Sequence, residues 1–143
     1  MNEILRKKLN NLLKEQRFAV IATQGKNEPY TNLVTFLASD NLKKIYFPTS
    51  KNSTKYENLS ANSRISILID NRGNKPEDIE NAMAVTAVGK TVMKTDNLIL
   101  KDFLKKHPYL EGFLKSKDCT MIEINIEKYI IVDSFQNVNI LDF

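Results

Sequence analysis

The sequence predicts a mainly β protein: a small mixed barrel of six to eight strands with appended helices. Three observations point there. The hydrophobic period is helical over Glu3–Gln16 and changes to two from Phe18 onward. Short alternating runs then follow one another, separated by polar turns. Finally, a short helix sits between two of the strands and a helical pair precedes the last set, which is not the regular alternation of a βαβ sheet.

Taken in order, Glu3–Gln16 places Leu5, Leu9, Leu12 and Leu13 on one stripe with the lysines outside it. Phe18–Thr23 and Tyr30–Ala38 flank the polar turn Gln24–Pro29 and read as a hairpin. The second of these strands is apolar on both faces through Leu33, Val34, Phe36 and Leu37, which suits a barrel with something packed outside, such as a second subunit. Asp40–Asn41 turns into a strand at Lys44–Phe47. Ser53–Ala61 reads as a short helix and Arg64–Asp70 as a strand with Ile65, Ile67 and Ile69 on one face. A polar loop, Asn71–Asp78, leads to a long strand at Ala82–Met93, where Gly89 marks a bulge or sharp bend. Leu98–Lys106 is a helix that stops before Pro108. Cys119–Ile126, Tyr129–Ser134 and a short edge strand at Val138–Leu141 complete the chain.

A length of 143 residues suits one domain spanning 1–143, with an N-terminal helix over 1–16 and the barrel region over 17–135. A chain of this size buries roughly two thirds of its surface and needs no disulfide or structural metal to fold. Hydrophobic residues make up 42% and charged residues 27%, which argues against disorder. Cys119 is the one cysteine, so no internal disulfide forms and a reducing compartment is expected. Met1–Gln16 lacks the apolar core of a signal peptide, and no apolar run approaches the ~20 residues of a membrane span. A soluble, cytoplasmic protein with no membrane partner is the expectation. The net charge of +4 favours anionic ligands, yet the 21 basic residues are interspersed with 17 acidic ones and form no nucleic-acid tail. No nucleic-acid partner is expected.

Most catalytic apparatus is excluded. One histidine and one cysteine cannot build a His/Cys metal cluster within a single chain, so no metal site is expected. No P-loop, nucleophile elbow or dinucleotide glycine fingerprint is present among the four glycines. Redox chemistry would have to come from a cofactor. The informative stretch is Tyr46–Asn62, where a strand ends at Pro48 and a helix starts near Thr54, with Thr54 and Glu57 at capping-box spacing. Helix N-termini present unpaired N–H groups and a partial positive charge. Here Thr49, Ser50, Ser53 and Thr54 add hydroxyls, and Lys51 and Lys55 add full charges. A dianionic phosphate needs that combination. An ordinary capped helix with solvated lysines would look the same, and local chemistry does not choose between them.

Three stretches together resemble the pyridoxamine 5′-phosphate oxidase-like family of FMN-binding split β-barrels, from about Arg17 to Phe135. They are the hairpin Phe18–Thr23 with Pro29–Val34, the segment Tyr46–Leu59 with the strand Arg64–Ile69, and Asp70–Asp78 leading into Ala84–Gly89. The resemblance implies a homodimer with FMN at the subunit interface. It implies phosphate contacts at Thr49, Ser53, Thr54 and Lys55, with Lys51 adding charge. It places the flavin ring along Asn32, Leu33, Val34 and Thr35, and brings Asn71 and Arg72 to the cofactor site. The chain departs from the family pattern at Thr54, where an arginine is common, and at Thr31 or Phe36, where many members carry a basic residue. These departures bear on affinity and leave the deazaflavin F420, FAD and haem as alternative cofactors. The vitamin B6 oxidase's substrate-binding arginine and histidine have no match in Tyr129–Phe143.

The resemblance therefore implies an FMN-dependent oxidoreductase acting on a small-molecule substrate. The alternatives are a haem-binding or haem-degrading split barrel and a non-catalytic flavin-binding module. His107 is the residue a haem would use, in a pocket offered by Tyr109, Leu110 and Phe113. Its plainer reading is a histidine bonded to the last carbonyls of its own helix. Cys119 reads as a small barrel residue and the first helix as a packing or dimer element.

Overall fold

Four leucines set the start of the fold. In the computed structural model, which describes residues 3–93, 97–134 and 136–143, helix α1 (Glu3–Glu15) buries Leu5, Leu9, Leu12 and Leu13 in the main core. Strands β1 (Phe18–Gly25) and β2 (Glu28–Thr35) then form a hairpin. Its turn is tighter than the sequence suggests. Lys26 and Asn27 both take positive φ, at 53° and 63°, as a two-residue turn matched to strand twist requires. Gln24 and Pro29 consequently pair as strand residues.

The expected strand Tyr30–Ala38 is broken at Phe36. Beyond it β3 (Leu37–Ala38) leaves β1 and pairs instead with β4 (Lys44–Ser50). Next come α2 (Thr54–Ala61), β5 (Arg64–Asp70), α3 (Asp78–Asn81), β6 (Ala84–Met93) and α4 (Asn97–Lys106). A 3₁₀ turn at Pro108–Leu110, α5 (Glu111–Leu114), β7 (Cys119–Asp133) and β8 (Asn137–Asp142) complete the order. The strands run β2-β1-β5-β6-β7-β4-β3, with β8 added on β7. Every described pairing is antiparallel, so the sheet is not mixed. The two ends of this path, β2 and β3, are joined by Phe36 alone, and the sheet curls back on itself as a half-barrel.

Two strands are longer than expected. β4 continues through Pro48 to Ser50, because Pro48 lies beyond the reach of β3 and its missing N–H leaves no ladder gap on that side. Cys119–Ile126 and Tyr129–Ser134 are one strand, β7. The polar pair Glu127–Lys128 stays in it because the ladder slips there: Val88 faces Lys128 and Gly89 faces Ile126, leaving Glu127 as the extra residue of a bulge. Gly89 does mark this bulge, and a Cβ on it would collide with the backbone oxygen of Asn125. The last strand lies past residue 135, the expected end of the barrel region, which is itself outside the described residues.

β7 also divides the outer surface. From Thr120 to Ile124 both faces are buried, because α4 and α5 cover the outside through Phe103, which packs with Tyr46 and Met121. From Tyr129 onward only alternate residues are buried. The outward residues there continue a row fixed by register across six strands: Leu33, Val20, Leu68, Thr86, Ile130 and Ile140. Its ends are open, with Leu33 62% and Ile140 54% exposed. Among the described residues no helix is long and apolar enough to cross a membrane.

Candidate functional site

The segment between β4 and α2 is built from hydroxyls that bond to one another. Ser53 caps α2: its Oγ accepts from the Tyr56 N–H at 3.2 Å and donates to the Ser50 oxygen at 2.8 Å. The cap is therefore Ser53, and the Thr54–Glu57 capping box does not form. Ser53 adopts the extended backbone a cap needs (φ −85°, ψ 154°), whereas Thr54 is already helical. With the Ser53 proton committed to Ser50, Thr49 is the donor in the 2.9 Å contact between Thr49 Oγ1 and Ser53 Oγ. Thr49 itself is buried. The turn is tied down on its other side by the Lys51 N–H, 2.7 Å from the Asp118 oxygen.

What remains free is the start of the helix. The N–H groups of Thr54 and Lys55 have no intrahelical partner by position. Thr54 and Lys51 are exposed, and Lys55 is half-buried, which lowers its ammonium pKa by desolvation. These groups form a compact set of donors and cations.

The second-strand residues divide by face. Val34 points into the core, and Asn32 shares its inward face, opposite Ile21. Leu33 points outward, while Thr35 is half-buried beside Phe36. The Oδ1 of Asn32 is buried and has no hydrogen-bond partner. β2 is also the edge of its ladder, bonded to β1 alone among the described strands.

Asn71 and Arg72 are drawn into the fold's own bonding. The Asn71 Oδ1 accepts from the Met83 N–H at 2.8 Å and latches the end of β5 to the start of β6. The Arg72 Nε lies 3.1 Å from Asp70 Oδ2, with the guanidinium exposed. Four of the expected site residues line three separate depressions. Thr54 lines a cleft of about 300 Å³ between α2 and the β1–β2 hairpin, with Tyr30, Lys26 and Glu57. Leu33 and Arg72 share a shallow hollow of about 180 Å³ with Phe18 and Leu68. Asn71 borders a third, of about 360 Å³, beneath α1. Small-molecule sites run from ~300 Å³ upward, so only the first and third reach that size.

His107 is buried, and its ring does not cap its own helix as expected. Its Nε2 reaches 2.8 Å to the Phe36 oxygen, and its ring lies 4.7 Å from that of Phe103, tilted by 35°. A carbonyl can only accept, so Nε2 carries the proton. Burial, and then the charges of Lys106 and Arg17, push its pKa down against the opposing pull of that bond. Of the proposed pocket, Tyr109 is 92% exposed and Phe113 is also exposed. Cys119 opens β7, and burial raises its thiol pKa.

One linkage has no signal in the sequence. The Asn58 Nδ2 of α2 donates to the Thr23 Oγ1 of β1 at 3.1 Å. Gly25 makes room for it: a Cβ there would meet the Asn58 amide oxygen. Residues 35 positions apart in the chain carry no pattern that pairs them.

A family model described as "Pyridoxamine 5'-phosphate oxidase" matches residues 5–133. Among solved structures, general stress protein 26 from Bacillus anthracis aligns over 97% of this chain and 98% of its own, at 18% identity and a TM-score of 0.78. A heme binding protein from Mycobacterium smegmatis aligns over 99% of this chain but 59% of its own, at 12% identity and a TM-score of 0.84. An FAD-binding protein from Mesorhizobium loti aligns over 87% and 90%, at 20% identity and a TM-score of 0.65. At these identities the likeness is one of fold. No curated protein matches the sequence significantly.

Proposed function

This chain belongs to the pyridoxamine 5′-phosphate oxidase family, and on that premise we propose that it binds FMN, phosphate at the start of α2 and ring along β2, to act on a small molecule. The observation that carries this reading is Asn32. A buried acceptor left without a donor costs about 1–3 kcal/mol, and here it stands on the strand assigned to the flavin. FMN brings donors in its ribityl hydroxyls and its ring imide.

The phosphate end fits as well. Two free helix N–H groups, the Thr54 hydroxyl and the Lys51 and Lys55 ammonium groups supply the short bonds and charge that a dianion takes. Thr49 and Ser53, bonded to each other, shape the turn that presents these donors. When bound, flavin supplies the electron or hydride transfer; the chain supplies binding and orientation. The division of the expected residues among separate depressions favours a site completed by a second copy. The open row from Leu33 to Ile140 is the surface for that copy.

The FAD-binding relative from Mesorhizobium loti supports a flavin, and the Mycobacterium smegmatis relative keeps haem as the alternative. Haem is the weaker reading here, because a His107 ligand through Nε2 would first have to surrender its bond to Phe36. The test is titration of the purified protein with FMN, FAD, F420 and haem, followed by absorbance and flavin fluorescence. FMN is expected to bind, and Asn32→Leu and Lys55→Ala each to weaken it. A protein that binds none of the four, or binds FMN equally well in both variants, overturns the reading.

A further inference from the structure

The two halves of the proposed site lie on different elements. Its phosphate donors belong to α2 and its ring contacts to β2, and the connection between them passes through β1. β2 is held to β1 by a continuous ladder from Phe18–Thr35 to Gly25–Glu28. α2 has no ladder. Its own apolar contribution to the core is small, with Leu59 as its one fully buried side chain. The Lys51 N–H ties the turn before α2 to Asp118, away from the hairpin, so the distance from the helix N-terminus to the hairpin needs a contact on the hairpin side.

That role falls to the amide of Asn58. Its Nδ2 donates to the Thr23 Oγ1, 3.1 Å away and buried within β1. Its Oδ1 rests in the space left by the missing side chain of Gly25. Gly25 has an ordinary negative φ, so backbone freedom is not why glycine stands there. Space is. Asn58 also lines the cleft between α2 and the hairpin, together with Thr54 and Tyr30. Asn58 lies four residues, about one helical turn, after Thr54. A rotation of α2 about its axis or a slide along it would therefore carry the Thr54 and Lys55 donors with it.

We propose that Asn58 is a positioning residue: its amide, keyed into Thr23 and the notch at Gly25, sets the spacing between the phosphate-binding end of α2 and the flavin-binding strand β2. This rests on the FMN reading for its functional consequence, but the mechanical claim stands on the free protein. An exposed asparagine on a short helix would be replaceable. One keyed into two residues of a neighbouring strand holds a geometry.

Three variants probe it from different sides. Asn58→Ala removes the key. Thr23→Val removes its acceptor at nearly constant shape. Gly25→Ala fills the notch and displaces an amide left chemically intact. Without ligand, hydrogen exchange is expected to speed up together at the bonded amides of Tyr56 and Glu57 in α2 and of Gly25 and Glu28 in the hairpin, in all three. With ligand, FMN affinity should fall roughly tenfold, the loss of one well-placed charge-assisted hydrogen bond, while riboflavin, which has no phosphate, keeps its affinity. Unchanged exchange at the start of α2 in Asn58→Ala and Thr23→Val overturns the proposal, whatever the flavin result. So does an equal loss for FMN and riboflavin, which would mean a general loss of structure. If the unaltered protein binds neither flavin, the FMN reading fails and the exchange data alone decide the positioning role.

Discussion

The Nε2 of His107, just past the end of α4, is bonded at 2.8 Å to the backbone oxygen of Phe36, the single residue that joins β2 to β3. Phe36 is held on its other sides too. Its N–H reaches the Arg17 oxygen at 3.4 Å, and the Lys106 ammonium stands 4.0 Å over its ring. Lys106 also donates at 2.9 Å to the Leu13 oxygen in the last turn of α1, where a cation complements the helix dipole. The point where the sheet passes from one end to the other is thus clamped by two consecutive residues from outside it.

Removing that clamp should destabilise the protein. His107→Ala leaves the Phe36 carbonyl buried and unpaired and is expected to cost about 1–3 kcal/mol, measured by urea denaturation at pH 7. His107→Gln keeps a donor of similar reach and should recover part of the loss.

The same residue predicts a pH dependence. In the fold the His107 pKa lies below its ordinary value of 6.5, chiefly through burial, so the unfolded chain binds the proton more tightly. Its contribution to stability is therefore fully present above pH 6.5 and is lost as pH falls through the lowered folded value. Denaturation midpoints compared at pH 7 and 5 should show this loss. His107→Gln, which does not titrate, should flatten that part of the profile.

Ser53 and Thr54 separate two readings of the α2 cap. Ser53→Ala removes the acceptor for the Tyr56 N–H and should cost about 1 kcal/mol. Thr54→Ala should leave stability nearly unchanged, as thermal melting of the two variants will show. Under the capping box expected from the sequence, the order would be reversed.

Two glycines should respond oppositely. Gly89→Ala drives a Cβ into the backbone oxygen of Asn125, which cannot swing aside, and should cost about 1–3 kcal/mol or more. Gly112 in α5 has nothing within 4 Å of the same position. Gly112→Ala should be neutral or stabilising by about 0.5–1 kcal/mol through helix propensity. Chemical denaturation of both variants measures the contrast.

The open row predicts association. Light scattering of the purified protein is expected to give the mass of a dimer, and Leu33→Lys with Ile140→Lys to give that of a monomer with its fold intact by circular dichroism. A unaltered chain that remains monomeric at high concentration would leave the row without the second copy proposed for it.

The sequence by itself determined what depends on local periodicity. The Leu5–Leu13 stripe, the alternation of Ile65, Ile67 and Ile69, and the bulge at Gly89 are written in spacing and residue type, and the mainly β fold class follows from them, while the family rests on the resemblance of whole stretches of sequence. Where two local signals competed, spacing was not enough. Thr54 and Ser53 are both capping residues, and backbone conformation chose Ser53. Glu127–Lys128 interrupts the apolar run, and a partner strand with a tight glycine carries it as a bulge. Only the tertiary structure decided the contacts between distant parts of the chain: His107 on Phe36, Asn58 on Thr23, Asn71 on Met83. Each rests on one or two hydrogen bonds across 12 to 71 positions. A bond of that kind depends on where the sheet curls, and no residue pattern along the chain records it.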